Sequence, residues 1–303
     1  MGIILPMKQL AIIGSTASGK SDLALRLAHE YNALILSIDS LSIYKEIDIA
    51  SAKPSKIELA SVEHFGIDRL SPSENASVFT FIDEYTRIHE CALAEDKNII
   101  IVGGSSFYLK SMIDGLSEIP LYSSDTLQKA KMMLNDLGAC HRLLAEIDPI
   151  GISKITPNDS YRIEKMLLLY LESAMAPSEW FRTHPPKPII RDCPILNLAV
   201  ERDILRERIA LRTQKMVHAG LIDEVAELER IYGRAPNSMG SIGILEVLEY
   251  LDGKINKDEL IELISTHTAQ LAKRQQTFNC HQFELSANAT VDECYKVASA
   301  ILK

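Results

Sequence analysis

Short apolar runs alternate with amphipathic helical patterns over the first hundred residues of the chain. Residues 8–13, 33–38 and 98–102 are rich in apolar side chains, as expected for strands buried on both faces of a sheet. Between these runs, residues 21–31 and 77–95 place apolar side chains at helical spacing. The alternation predicts an α/β fold with a parallel sheet flanked by helices.

The pattern changes to helices alone after about Gly115. We expect one helix from Ser124 or Asp125 to Leu137 with Gly138 just past its end, and a second from Asn158 or Asp159 through Leu171. The proline-rich residues 183–194 are typical of a linker, and residues 195–200 resume as a strand that leads into a long basic helix. The sequence therefore predicts a core formed by residues 1–115 and 189–303, with an all-helical insertion domain at 116–188.

A complete phosphate-loop motif follows the first predicted strand and opens the first predicted helix. Its sequence is GSTASGKS, and its residues are Gly14, Ser15, Thr16, Ala17, Ser18, Gly19, Lys20 and Ser21. In such a loop, backbone N–H groups at a helix N-terminus bind phosphate oxygens, the lysine adds a positive charge, and the final hydroxyl can hold Mg²⁺. The motif predicts a P-loop core that binds a diphosphate or a triphosphate.

Asp39 directly follows the strand predicted at residues 33–38, and residues 103–106 directly follow the strand predicted at 98–102. Both segments should therefore face the phosphate loop. Active residues of parallel sheets collect beyond the carboxyl ends of the strands, and we expect these segments to meet in one crevice. Asp39 alone is also compatible with a helix N-cap or a Mg²⁺ ligand. The strand at 99–102 ends in glycine, where many phosphate-loop ATPases place aspartate, which weighs against ATP hydrolysis.

Composition narrows the class of protein further. The chain has 303 residues and a net charge of −9, and no apolar run approaches the length of a membrane span. Residues 1–7 are too short for a signal sequence, and the five cysteines show no paired spacing, so we expect a cytoplasmic protein with reduced thiols. The acidic balance argues mildly against an extensive nucleic-acid surface. Basic residues between 202 and 215 fit a local nucleic-acid contact and a solvated helix face equally well.

Seven ordered segments resemble the tRNA dimethylallyltransferases of the short bacterial type. They occur in the family's order over nearly the whole chain: GSTASGKS (14–21), DSLSIYKEIDIASAKPS (39–55), EHFGIDRLSPSENASVFTF (63–81), GGSSFYLKSMIDGL (103–116), NDSYRIEKML (158–167), RERIALRTQKMVHAGLIDEV (206–225) and AKRQQTF (272–278).

The resemblance implies transfer of a dimethylallyl group from its diphosphate to the exocyclic amine of the adenosine 3′ of a tRNA anticodon. It assigns catalysis to Asp39, Lys20 and Arg212. Asp39 is expected to accept the amine proton. Lys20, Arg212 and a Mg²⁺ ion held by Ser21 are expected to stabilise the departing diphosphate. The tRNA contacts that it implies are Asp39, Ser40, Leu41, Ser42, Ser105, Arg162, Lys273 and Arg274. It also implies that the helical insertion clamps the anticodon stem-loop and that the protein is a monomer. The lack of a long apolar run, by itself, predicts no membrane association.

The chain departs from the family pattern at several of these positions. The family usually has proline at Ser15, glutamine at Ser42, glycine and threonine at residues 50 and 51, and threonine then glycine at Ser105 and Ser106. At Ser42 a long amide is replaced by a short hydroxyl. Two other functions share the phosphate loop: a P-loop nucleoside or small-molecule kinase that uses ATP, and a non-enzymatic RNA-binding protein that senses a nucleotide.

Overall fold

A six-stranded parallel sheet forms the centre of the fold. The structure is a computed structural model that describes residues 7–303, so residues 1–6, part of the predicted core and of the short apolar start, lie outside the described residues. The strands are β1 (Gln9–Gly14), β2 (Ala33–Ser37), β3 (His64–Phe65), β4 (Asn98–Gly103), β5 (Ile195–Leu198) and β6 (Ala287–Ala289). Their order across the sheet is β3-β2-β4-β1-β5-β6, and every pair is parallel. The predicted α/β fold with a parallel sheet is confirmed.

Helices make up most of the remaining described chain. In chain order they are α1 (Lys20–Glu30), α2 (Lys56–Ser61), α3 (Val78–Glu95), α4 (Ser106–Asp114), α5 (Ser124–Met133), α6 (Leu137–Ile147), α7 (Pro149–Ile152), α8 (Ser160–Ser173), α9 (Pro177–Thr183), α10 (Arg202–His218), α11 (Leu221–Tyr232), α12 (Ile244–Leu251), α13 (Lys257–Gln282) and α14 (Val291–Leu302), with a short 3₁₀ turn at Asn237–Gly240. Within residues 7–303, no helix has the run of apolar residues that crossing a lipid bilayer requires.

The chain divides into two compact units. One contains the sheet and combines the chain up to Met112 with Ile190–Lys303, and the other is Ile113–Ile189. The insertion domain expected from the sequence was residues 116–188. The second unit is built from helices α5 to α9, and α5, α6 and α8 bury one cluster that includes Cys140, Leu144 and Leu167.

The sheet is covered by helices because its central strands are apolar on both faces. On one face, Leu10 and Ile12 of β1 pack with Leu27 of α1 and Ala298 of α14. The helix α3 packs against β2 and β4, where its Phe81 is fully buried. Burial on both faces explains why β1, β2 and β4 are recognisable as continuous apolar runs.

The predicted helix from residue 124 to Leu137 is wrong in its end. The helix α5 stops at Met133, and α6 begins at Leu137, so Gly138 lies inside the next helix. The carboxylate of Asp136 accepts a hydrogen bond from the backbone N–H of Ala139 at 2.9 Å. This N-cap starts a new helix at the place where the glycine suggested a stop.

We expect Phe81→Ala to lower the free energy of unfolding by about 3–5 kcal/mol, because it leaves a cavity in the core. The Phe81 ring is 0% exposed and stacks on Tyr108 with 4.2 Å between ring centroids. Phe79 on the same helix is 65% exposed, so Phe79→Ala is the matched control and should change stability by less than about 0.5 kcal/mol. Urea denaturation measures both, and equal effects would contradict this account of the core.

Candidate active site

The phosphate loop leaves β1 at Gly14 and enters α1 at Lys20. Gly19 caps the helix in the left-handed region at φ 91°, a conformation that glycine adopts without steric cost. Ala17 is also left-handed, at φ 62°, which costs a non-glycine residue about 1 kcal/mol or more. Ala17 packs against a buried cluster that includes Leu205 of α10 and Ala272 of α13, and this packing helps to hold the loop in the strained conformation.

Two cations lie beside the loop. The Lys20 ammonium donates a hydrogen bond to the Ser15 carbonyl oxygen at 3.3 Å, and Arg212 Nη1 of α10 donates to Thr16 Oγ1 at 3.2 Å. Burial lowers the pKa of Lys20 to about 8, while the charge of Asp39 opposes this shift and that of Arg212 adds to it. Burial also lowers the pKa of Arg212, again opposed by Asp39. The arrangement favours an anionic ligand, which would compensate both cations.

Asp39 forms a turn with the residues that follow it. Its Oδ1 accepts hydrogen bonds from the backbone N–H groups of Leu41 at 2.9 Å and Ser42 at 3.2 Å. These bonds fix the direction of the carboxylate, and within residues 7–303 no group donates a hydrogen bond to Oδ2. One carboxylate oxygen is therefore left to accept a proton or a hydrogen bond from a ligand.

The turn between β4 and α4 lies against both the carboxylate segment and helix α13. The backbone N–H of Ser40 donates to Ser105 Oγ at 3.1 Å. The side chain of Gln275 accepts from the backbone N–H of Thr16 at 2.9 Å and donates to the carbonyl oxygen of Gly104 at 3.1 Å. These contacts join four segments that are far apart in the sequence.

Glycine is required where β4 ends because Ile38, which directly follows β2, approaches closely. A Cβ atom on Gly103 would lie 2.6 Å from Ile38 Cγ1 and 2.9 Å from the Ile38 carbonyl carbon. On Gly104 it would lie 2.5 Å from Gln275 Nε2. The absence of side chains at the two glycines thus allows Ile38 and Gln275 to approach the end of β4 this closely.

Two cavities meet at this group of residues. The larger has a volume of about 520 Å³ and the smaller about 200 Å³. Both are lined by Thr16, Lys20, Asp39, Ser51 and Arg212. The larger cavity has apolar walls that include Leu41, Phe107, Tyr108, Met216, Ile242 and Leu271. The smaller cavity has polar walls that include Ser21, Asp22, Ser37, Ser42, Lys53 and His64. Asp39 therefore lines both a polar and an apolar cavity.

The structure brings together most of the site residues expected from the sequence. Loop residues 14–21, Asp39 with residues 40–42, Ser105 and Arg212 surround the two cavities or the turns that shape them. Lys273 and Arg274 are exposed on α13 and line neither cavity. Arg162 belongs to the second unit, where its guanidinium pairs with Asp159 at the start of α8.

Gln275 and Phe107 lie at the site without having been assigned a role from the sequence. A signal for Gln275 exists in the helical periodicity of α13, because Ile264, Thr268, Leu271 and Gln275 recur at spacings of three and four residues. All four line the larger cavity. For Phe107 the sequence carries no such signal. Its 59% exposure directly after the glycine turn is seen only in the structure.

Comparison with known proteins identifies the group to which this site belongs. The model of the family described as IPP transferase matches residues 42–282. The chain is 56% identical over 287 residues to the tRNA dimethylallyltransferase of Sulfurimonas denitrificans, an alignment that covers 95% of this chain and 97% of that protein. It is 50% identical over 293 residues to the tRNA dimethylallyltransferase of Sulfurovum sp. strain NBC37-1, covering 96% and 97% respectively.

Solved structures agree with the sequence relatives. The tRNA isopentenylpyrophosphate transferase of Bacillus halodurans superposes with a TM-score of 0.68 at 29% identity, over 97% of this chain and 96% of that one. A eukaryotic dimethylallyltransferase acting on tRNA superposes with a TM-score of 0.83 at 25% identity, over 97% of this chain and 77% of that one. The family resemblance inferred from the seven sequence segments is confirmed.

We expect the burial of Lys20 to make stability depend on pH between about 8 and 10.5. The unfolded chain holds this proton up to the ordinary pKa of 10.5, whereas the folded protein releases it near 8. The unfolded state then binds more protons in this window, so the contribution of Lys20 to the free energy of unfolding rises with pH. Relative to Lys20→Met, the wild type should gain on the order of 2 kcal/mol from pH 8 to pH 10 in urea denaturation. A difference that does not vary with pH would show that the folded protein keeps the proton.

Proposed function

The chain belongs to the IPP transferase family, and on that premise we propose that it transfers a dimethylallyl group from dimethylallyl diphosphate to a tRNA. The acceptor is the exocyclic N6 amine of the adenosine 3′ of the anticodon, at tRNA position 37. The observation that carries this proposal is the placement of Asp39, which lines both a polar and an apolar cavity beside the phosphate loop and whose Oδ2 accepts no hydrogen bond within residues 7–303.

In the proposed reaction the phosphate loop grips a leaving group. As the bond between the allylic carbon and oxygen breaks, its electron pair and negative charge pass to the diphosphate. Lys20, Arg212 and the backbone N–H groups at the start of α1 are in place before the reaction and stabilise that charge. Two loop residues hold these cations in position: the Ser15 carbonyl oxygen accepts a hydrogen bond from Lys20, and the Thr16 hydroxyl oxygen accepts one from Arg212.

The residues present also fit a divalent cation, which we take to be Mg²⁺. Hard cations prefer oxygen ligands, and Mg²⁺ at phosphate sites uses one or two protein oxygens together with phosphate oxygens. The Ser21 hydroxyl is exposed and makes no hydrogen bond within residues 7–303, and the carboxylates of Asp22 and Asp39 line the same smaller cavity. When bound, Mg²⁺ supplies neutralisation of the diphosphate charge.

Asp39 acts on the acceptor amine. The amine of adenine is conjugated with its ring and is a weak nucleophile, so removal of its proton assists attack on the allylic carbon. The new bond joins N6 to that carbon, and the amine proton passes to the free oxygen of Asp39. The turn that binds Oδ1 keeps the other oxygen directed at the ligand during this transfer.

The larger cavity suits a nucleobase and the five-carbon group. Its walls include Phe107 and Tyr108, and aromatic side chains stack on bases that leave a single-stranded loop. Apolar walls also keep water from the allylic carbon, where hydrolysis would compete with transfer.

The remaining tRNA contacts belong to this proposal as well. Ser40, Leu41, Ser42 and Ser105 surround the acceptor side of Asp39, and Ser42 supplies a short hydroxyl in place of the family's glutamine. Lys273 and Arg274 are exposed cations suited to phosphates, and the helical unit with Arg162 is assigned to the anticodon stem-loop. We propose that the enzyme works in the cytoplasm as a monomer.

Prenylated adenosine should form when the protein is incubated with unmodified tRNA, dimethylallyl diphosphate and Mg²⁺ in the absence of ATP. Digestion of the tRNA and mass spectrometry of its nucleosides detect the product. The control replaces the tRNA with one that carries guanosine at position 37. Transfer of phosphate from ATP without any prenylated adenosine would favour a kinase, and no product under any condition would reject the proposed function.

Asp39→Asn should lower kcat by about 10²–10⁴-fold, because the amide keeps an oxygen that accepts the two turn hydrogen bonds but cannot take the amine proton. Binding of inorganic pyrophosphate, measured by calorimetry, should stay within about threefold. A parallel loss of pyrophosphate affinity would show that Asp39 serves mainly to hold the metal or the loop.

For Arg212→Ala we expect a loss of about 10²–10³-fold in kcat, since one cation is removed from the leaving group. The matched control is Arg230→Ala, because Arg230 is an exposed arginine of α11 that pairs with Glu227. Its rate should be that of the wild type. Single-turnover measurements separate chemistry from product release, and a wild-type rate in Arg212→Ala would remove that residue from the leaving-group site.

A further inference from the structure

We propose that Gln275 is a positioning residue, which sets the distance between the diphosphate-binding loop and the carboxylate that accepts the amine proton. The inference rests on the proposed function, since it concerns how the two halves of that reaction are aligned. Gln275 is assigned no contact with either substrate. Its role is to hold two pieces of backbone in register.

The side chain of Gln275 bridges two backbone groups with both ends of its amide. Oε1 accepts from the N–H of Thr16 at 2.9 Å, and Nε2 donates to the carbonyl oxygen of Gly104 at 3.1 Å. Reversing the amide would place its NH₂ group against an N–H and its oxygen against a carbonyl, so only one orientation satisfies both partners. The bridge therefore specifies glutamine and not merely a polar residue of similar size.

The fit around this side chain is close. A Cβ atom on Gly104 would lie 2.5 Å from Gln275 Nε2, so the absence of a side chain at Gly104 makes the contact possible. Thr16 is held at the same time from its side chain, where Arg212 donates to Oγ1 at 3.2 Å. The middle of the phosphate loop is thus fixed from α13 and from α10.

The contacts continue from Gly104 to Asp39. Ser105 follows Gly104, and its Oγ accepts a hydrogen bond from the N–H of Ser40 at 3.1 Å, next to Asp39. A connected path therefore runs from Thr16 through Gln275, Gly104 and Ser105 to the carboxylate segment. The first end of this path holds the diphosphate, and the other end receives the amine proton.

Alignment of this kind matters because transfer requires the reacting nitrogen and carbon to meet at about 3–3.5 Å in line with the leaving group. A shift of about 1 Å between the two halves of the site costs on the order of 10²-fold in rate. Loss of the bridge should consequently reduce kcat while each substrate still binds to its own half.

The test uses the full chain and two variants of Gln275 with one matched control. Gln275→Met keeps the length and volume of the side chain but makes neither hydrogen bond. Gln275→Glu can still accept from the N–H of Thr16 but, as a carboxylate, cannot donate to the carbonyl oxygen of Gly104. Gln276→Ala changes the next residue of α13, which is exposed, and should match the wild type. The measurements are single-turnover prenylation of tRNA, calorimetric binding of inorganic pyrophosphate, hydrogen exchange of the Thr16 amide, and thermal melting.

For Gln275→Met we expect the rate of transfer to fall by about 10²-fold and the Thr16 amide to exchange about tenfold faster, with pyrophosphate affinity within threefold of the wild type. Gln275→Glu should keep the protection of the Thr16 amide and still lose rate. A wild-type rate in either variant would overturn the proposal, as would a pyrophosphate affinity that falls in step with the rate or a melting temperature lowered enough to unfold the protein.

Failure of this inference can be separated from failure of the proposed function. If the wild type makes no prenylated adenosine, the function is rejected, whereas hydrogen exchange still reports whether Gln275 holds Thr16. If the wild type is active and Gln275→Met keeps the wild-type rate of transfer, only the positioning role is rejected.

Discussion

The site depends on the attraction between the Asp39 carboxylate and two cations, Lys20 and Arg212. Burial disfavours the charged forms of both cations. Removal from water lowers the pKa of both cations, and their mutual repulsion lowers that of Lys20 further. The charge of Asp39 opposes these effects for each of them. A polyanion on the phosphate loop acts in the same direction as Asp39, so ligand binding and the charging of Lys20 are coupled. An anionic ligand on the phosphate loop would therefore complete the charge balance of the site.

The parts of the fold that the sequence predicts well are those with a strong local pattern. The strands β1, β2 and β4 are continuous apolar runs, and α3 carries a regular apolar face, so their bounds follow from periodicity within about two residues. The short strands β3 and β6 have two and three residues and carry no such pattern. They exist because neighbouring strands offer partners. The end of α5 was predicted wrongly for the opposite reason. Gly138 is a strong local signal for a helix end, but the N-cap formed by Asp136 starts a new helix there.

The residues of the candidate site also fall into two groups, those that the sequence predicts and those that only the structure brings to the site. The phosphate loop and Asp39 are visible in the sequence because motif and strand order place them at one edge of the sheet. Gln275 contacts Thr16 across 259 residues of chain, and Arg212 contacts it across 196. No local pattern contains such contacts. The role of Arg212 came from family resemblance, and that of Gln275 emerges only when α13 is seen beside the loop.

The strand order β2-β4-β1 sets the distance between the phosphate loop and Asp39. The phosphate loop follows β1 and Asp39 follows β2, with β4 between them. Two interstrand spacings amount to about 9–10 Å, and Gly103 and Gly104 at the end of β4 put no side chain into this span. The backbone itself thus sets the distance between the phosphate loop and the Asp39 segment, whatever side chains surround them. Under the proposed function, a change in the cavity walls alters which acceptor fits but leaves this backbone distance unchanged.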